Sequence, residues 1–392
     1  MAITHLGTRS AYSQDLLYFE GGASADVTNV AYLGRRWARS DLTANSKQGR
    51  LAPSALGVNL LGNLVIVDTF LFAFSGADVP TQRALVAWET AGLRKLYLNT
   101  SGYLEWYDGT NYHQCSSVLS QATAYEIALV RDHTAGSGGV SRELIYVNKA
   151  IDLDIALTVP AANRSFRYWG ENLGASNPGI YLYFCDFVAY TLGAVTETAY
   201  QPAVGFAAAR ADGSTNTWVK SDAGLAYWEH VDEIPASTVD YLYTNAPSTP
   251  KVALEYLSQR ATIGPAADDT VLGVVLGWYV RERLNGGTKW AVTAGCRQAA
   301  NETWGTGISA PGDGVWAATV ANYTATRPGG GSWAPADFDD WQLGIEVAAG
   351  AEHNTYADWG AGIAFVSYFN AGLALATPTA AEGIARSYGF IF

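Results

Sequence analysis

The sequence predicts an all-β chain folded as two β-sandwiches in tandem. Three observations carry that expectation: a length that suits two sandwich cores, a composition rich in aromatic residues and glycine, and short apolar segments that recur between turn residues along the chain.

The 392 residues exceed what one hydrophobic core usually organises, and fit two parts of roughly 200 residues each. Aromatic residues make up 12% of the chain, with 13 Trp and 23 Tyr, whereas charged residues reach only 15%. Aromatic and β-branched side chains suit a pleated surface, and the 41 Gly serve the turns between strands.

Strands are expected over residues 64–74, 95–100, 102–108, 125–132, 143–148, 181–190, 271–284, 341–347 and 363–369, each bounded by Gly, Asn, Asp or Pro. Long helical periodicity is missing. Two hairpin turns are legible, at Asn285-Gly286-Gly287 and at Asp108-Gly109, where a left-handed backbone is needed. Between residues 193 and 217, Ala, Thr and Gly replace the bulky strand formers and Pro202 interrupts regular structure, so the expected domains are 1–198 and 199–392.

The halves echo each other. Residues 17–20 (LYFE) resemble 226–229 (AYWE), and 187–190 (FVAY) resemble 365–368 (FVSY). These signatures at the start and end of each half fit a sandwich whose first and last strands pair, which covers edges that would otherwise invite aggregation.

A net charge of -12 and a pI near 4.8, with no basic run, argue against binding to nucleic acid or to anionic lipid. No apolar stretch reaches the ~20 residues needed to span a bilayer, and the first residues lack the pattern of a secretory leader. The chain is therefore expected to be soluble and made in a reducing cytoplasm. Cys115, Cys185 and Cys296 show no C-x-x-C spacing and are read as buried free thiols.

The first half resembles a laminin-G or concanavalin A-like jelly roll. The likeness lies in Tyr125 to Asp132 (YEIALVRD), Glu143 to Asn148 (ELIYVN) and Tyr181 to Tyr190 (YLYFCDFVAY), in that order. It departs at Tyr125, where the family often has Trp, and at Lys149, where Gly usually follows Asn. The second half is similar to a domain of uncharacterised structural proteins of tailed phages, through Trp218, Ser221 to Gly224, Val231 to Pro235, Asp240 to Tyr243 and Ser332 to Ile345. Together the two resemblances imply tandem concanavalin A-like jelly rolls in a virion structural protein. Residues 327–347 also have a plain physical reading as a glycine loop, a single helical turn at Ala334 to Asp337 and a half-buried strand.

Sequence chemistry for catalysis is sparse. Glycoside hydrolases on this fold commonly carry a Glu-x-Asp-x-x-Glu strand, which is missing; Glu229 to Glu233 (EHVDE) has a spacing that would put Glu229 and Asp232 on opposite faces, and reads as a solvated turn. His5, His113, His133, His230 and His353 lack metal-binding spacing, and no G-x-S-x-G or Walker-type loop occurs. Asp152 with Asp154, and Asp268 with Asp269, suggest calcium only weakly and read as solvent-facing charges.

The strongest binding candidates are aromatic: Trp106 and Tyr107 with Tyr112, and Trp304 with Trp316, all near Gly- and Asn-rich loops where a ring can stack on a sugar or fill a partner's pocket. The functional expectation is a non-enzymatic virion surface protein with no metal or cofactor. It would be synthesised in the host cytoplasm and act through other virion proteins, as a homo-oligomer. The alternative is an adhesin for host surface glycan, with a glycan hydrolase disfavoured.

Overall fold

In the computed structural model, residues 3–6, 27–33, 35–41, 49–50, 65–76, 79–89, 95–132, 134–136, 138–158, 166–169, 179–192, 202–232, 239–244, 251–283, 292–308, 316–322, 326–347 and 356–370 are described. Strands dominate them, and the all-β jelly-roll expectation holds. Among the described residues, helix is confined to short turns such as Arg260–Ile263, Trp228–His230 and Pro335–Asp339. Among the described residues, no helix is long and apolar enough to cross a membrane.

The chain divides into two compact units, the second spanning Val204–Ala371. The expected cut between residues 198 and 199, the Asn285 to Gly287 hairpin and the 17–20 segment lie outside the described residues.

The first unit contains β1 (Ile3–Leu6), β2 (Val27–Tyr32), β3 (Arg35–Asp41), β4 (Gly49–Arg50), β5 (Val65–Ser75), β6 (Ala84–Glu89) and β7 (Lys95–Leu98). It continues with β8 (Tyr103–Tyr107), β9 (Tyr112–Val118), β10 (Tyr125–Asp132), β11 (Val140–Val147), β12 (Ala150–Thr158), β13 (Phe166–Trp169) and β14 (Tyr181–Leu192). One sheet has the order β12-β11-β10-β5-β14-β3-β2, with β1 also on β14; the facing sheet runs β4-β13-β6-β7-β8-β9. The first described strand pairs with the last, Ile3–Leu6 of β1 lying against Val188 to Tyr190 of β14.

Alternation along β5 sends Phe70, Phe72 and Phe74 inward, against Val86, Leu96, Leu98, Leu104 and Trp106 of the smaller sheet. Each buried Phe contributes about 2–3 kcal/mol of transfer free energy. The other face of β5 is also covered, because Ala73 joins Trp37, Tyr183 and Cys185 in a second cluster. Two covered faces explain why β5 and β14 read as continuous apolar runs. A bulge between Cys185 and Val188, with Asp186 at φ 54°, divides β14 into a half that pairs with β3 and a half that pairs with β1.

The second unit contains β15 (Ala203–Asn216), β16 (Val219–Lys220), β17 (Leu242–Thr244), β18 (Lys251–Leu257), β19 (Thr270–Glu282), β20 (Val292–Gln298), β21 (Asn301–Ile308), β22 (Ala317–Asn322), β23 (Trp341–Val347) and β24 (Ala357–Phe369). The order β16-β17-β24-β15-β18-β23-β20-β21 makes β24 and β15, its last and first strands, neighbours; β19 pairs with β22 and β24. All thirteen residues of β24 are buried. The Trp278 indole of β19 donates 2.9 Å to the Gly344 carbonyl of β23 and so links two facing layers.

Residues 327–347 fold as their chemistry suggests. Gly329, Gly330 and Gly331 take φ of 85°, 91° and 82°, Pro335 opens the helical turn, and Asp337 accepts from the Ala334 amide at 2.8 Å. The strand that follows is covered on both faces rather than one, since only Glu346 of β23 is partly exposed. Trp333, Phe338 and Trp341 pack together there with ring centroids 5.0–6.0 Å apart.

Candidate functional site

Strand alternation builds the candidate site on the outer face of the six-stranded sheet. In β8, Leu104 and Trp106 point into the core, so Glu105 and Tyr107 point out; Tyr97 faces Glu105 from β7, while Gln114 and Tyr112 face Glu105 and Tyr107 from β9. Asp108 shapes the hairpin that joins β8 and β9, because its Oδ1 accepts from the amides of Thr110 and Asn111 at 2.7 and 2.8 Å, with Gly109 at φ 103°. His113 Nε2 lies 2.8 Å from its Oδ2. Burial opposes ionisation of Asp108, but the His113 contact and the two amides outweigh it and hold the carboxyl below its usual range.

Three tyrosine rings form the apolar part of this face. Tyr107 and Tyr112 lie 4.7 Å apart, Tyr97 and Tyr112 5.8 Å, and the Arg83 guanidinium sits 3.9 Å above the Tyr112 ring. Tyr112 is 45% exposed, so the stack is open to solvent. Tyr107 is pinned by a 2.8 Å bond from its hydroxyl to the Gly109 carbonyl.

The polar part is equally fixed. Arg83 forms an ion pair with buried Glu105, whose other oxygen accepts from Asn99 Nδ2 at 2.8 Å. Asn99 Oδ1 caps the β7–β8 turn by accepting from the Ser101 and Tyr103 amides at 2.9 and 3.0 Å, which aims Nδ2 at Glu105. Gln114 Oε1 stands 3.4 Å from the same Nδ2. One cation, one carboxylate and two amides therefore border an aromatic floor, a set that can hydrogen-bond hydroxyls while a sugar ring stacks.

The structure brings Tyr107 and Tyr112 together and removes Trp106 from the binding set: Trp106 is 2% exposed and faces the core. Adjacent strand residues point to opposite faces, so Trp106 and Tyr107 cannot both be on the surface. Trp304 and Trp316 lie apart from each other, on the β20–β21–β23 layer and beside β22 and Arg281 respectively. Arg83, Tyr97, Asn99, Glu105 and Gln114 were missed, although period-two alternation in residues 95–98 and 103–107 already grouped Tyr97, Glu105 and Tyr107.

Of the four carboxylates singled out from sequence, Asp268 is exposed and the other three are engaged in protein contacts. Asp152 accepts from Ser116 and Ser117, Asp154 pairs with Arg142, and Asp269 accepts from the Ala266 amide. Among the described residues, no group of three or more His, Cys, Asp or Glu is arranged to hold a metal ion. Residues Glu229 to Asp232 form a turn whose centre is not solvated, Glu233 lying outside the described residues: His230 is 1% exposed, and its ring contacts the Asp222 carbonyl at 2.9 Å and Ser221 Oγ at 3.3 Å.

No family model matches the chain, and no curated protein matches its sequence. Solved structures do. An endo-beta-1,4-glucuronan lyase from Trichoderma reesei is 11% identical over 49% of this chain and 96% of its own, with a TM-score of 0.36. The catalytic domain of a glycoside hydrolase family 131 protein from Coprinopsis cinerea is 18% identical over 47% and 85%, with a TM-score of 0.32. The binding domain of Paraclostridial Mosquitocidal Protein 1 is 10% identical over 65% and 74%, with a TM-score of 0.35. These values describe a shared kind of fold and transfer no activity. The expectation of a non-enzyme is corrected to this extent: polysaccharide lyases and glycoside hydrolases are among the solved structures this chain is similar to.

Proposed function

We propose that the protein binds glycan through the outer face of the six-stranded sheet. The observation that carries this reading is the open Tyr107–Tyr112 ring pair, with Arg83 above it and the Arg83–Glu105–Asn99 chain at its edge. Rings fixed by packing and polar groups fixed by hydrogen bonds lose little freedom when a ligand docks, which favours affinity. The exposed Tyr112 and half-buried Tyr107 also lie on strands rather than on a loop.

A glycan array followed by calorimetry on the best ligand tests the reading. The double variant Tyr107→Ala/Tyr112→Ala is expected to weaken binding by about tenfold or more, the loss of two stacked rings. Unchanged affinity in a folded double variant rejects this face. Release of new reducing ends from the bound polysaccharide would add a catalytic step to the same site.

A setting on a phage virion is part of the proposal and rests on the resemblance of the second half. It brings with it contacts to other virion proteins and assembly as a homo-oligomer. Mass spectrometry of purified particles tests it: a fixed stoichiometry supports the setting, and absence from the particles removes it.

A further inference from the structure

The second unit carries an aromatic surface that the first does not explain. Gly295 of β20 pairs with Gly344 of β23 on one side and with Trp304 of β21 on the other. Leu343 points inward against Gly362, so its neighbour Gly344 faces out, and Gly295 with it. A Cβ on Gly295 would lie 2.2, 2.4 and 2.7 Å from three atoms of the Trp304 six-membered ring, and one on Gly344 would lie 3.1 Å from a fourth. Near-equal approach to three ring atoms means that the ring lies flat over Gly295, with its far edge reaching Gly344 beside the Leu254 side chain. Any larger residue at Gly295 would lift it off the sheet.

Polar groups border the ring. Glu302 Oε2 accepts from the indole Nε1 at 3.2 Å, and Arg297 Nη1 donates to Ser214 Oγ at 2.7 Å and to Glu302 Oε1 at 3.4 Å. Gln342 Oε1 accepts from the Ser214 amide and hydroxyl at 2.8 and 3.0 Å. Ser214 and Glu302 are exposed, and Trp304 and Arg297 are half-buried. The rim thus offers hydroxyl, guanidinium and carboxylate groups to solvent around a ring held in place from below.

We propose that this face is a second saccharide site, which takes one neutral hexopyranose unit stacked on Trp304. The ring supplies a flat apolar surface for the C–H face of the sugar, and Glu302, Arg297 and Ser214 supply hydrogen bonds to its hydroxyls. Arg297 and Glu302 balance in charge, which favours a neutral sugar over a uronate. The site is independent of the tyrosine face, because its residues belong to the other unit.

Calorimetry on the full chain with cellohexaose, mannohexaose, galactohexaose and an alginate hexamer tests it, in the wild type and in a Tyr107→Ala/Tyr112→Ala background that silences the first face. In that background one site per chain is expected for a neutral hexamer. Trp304→Ala should weaken it by about tenfold or more and Trp304→Phe, which keeps a smaller flat ring, by less. Circular dichroism and melting of each variant establish that it is folded. Residual binding that is indifferent to Trp304, preference for the alginate hexamer, or no binding in the folded tyrosine background overturns the second site. The last result leaves the first face standing if the wild type binds.

Discussion

Asp152 of β12 accepts two short hydrogen bonds from Ser117 of β9, 3.0 Å from the amide and 2.7 Å from the hydroxyl, and a third of 2.6 Å comes from Ser116 Oγ. Strands β12 and β9 are edges of different sheets, so one carboxylate fastens the sandwich along an open side. Asp152→Ala is expected to cost about 1–2 kcal/mol in urea unfolding, since it strands the Ser117 amide as well as removing charge-assisted bonds. An unchanged midpoint would mean that water replaces the carboxylate without loss.

The β11–β12 hairpin turns through Asn148 and Lys149 at φ 49° and 71°. Glycine suits the second position, and Lys pays for the left-handed backbone there with only a loose 4.0 Å contact to Glu126. Lys149→Gly is expected to stabilise the chain by several tenths to about 1 kcal/mol, seen as a rise in melting temperature.

Glu255 supplies a pH signature. Burial is the main cause that pushes its carboxyl from an ordinary 4.5 up to about 8, against the opposing bonds from the Gly213 amide and Asn216. The folded chain therefore keeps a proton that the unfolded chain loses. The stabilising contribution is complete below pH 4.5 and drains away as pH rises toward 8. Asn216 Oδ1 has no partner, so rotating that amide gives the carboxyl proton an acceptor. Glu255→Gln should flatten this part of the stability profile measured by denaturant titration across that range.

Glu105→Ala separates orientation from stacking at the tyrosine face. Arg83 loses its ion pair and Asn99 an acceptor, while the rings of Tyr107 and Tyr112 stay. Glycan affinity is expected to fall about three- to tenfold with selectivity among sugars reduced, because hydrogen bonds that discriminate are lost while ring contact persists. A competition assay across the array reads both effects.

Much of the fold was legible because period two and turn chemistry are local. YEIALVRD, ELIYVN and WQLGIEV became β10, β11 and β23, and Asp108-Gly109 became the β8–β9 turn. The candidate site was only half legible. Tyr107 and Tyr112 stood out as aromatics beside a turn, but Arg83 reaches Glu105 across the intervening strand β7, and that pairing depends on register. Trp106 stands beside the same turn, but alternation along β8 turns it to the core face, and which of two adjacent aromatics faces the core depends on the partner sheet. For Asp152, the serines that hold it are 35 and 36 residues away, beyond any local pattern.

Phe206 near the start of β15 and Phe365 near the end of β24 have ring centroids 5.7 Å apart. The second unit thus begins and finishes at one spot, so a short linker can splice its two ends. A circularly permuted version, opened at the Gly329 to Gly331 turn, then retains every strand intact.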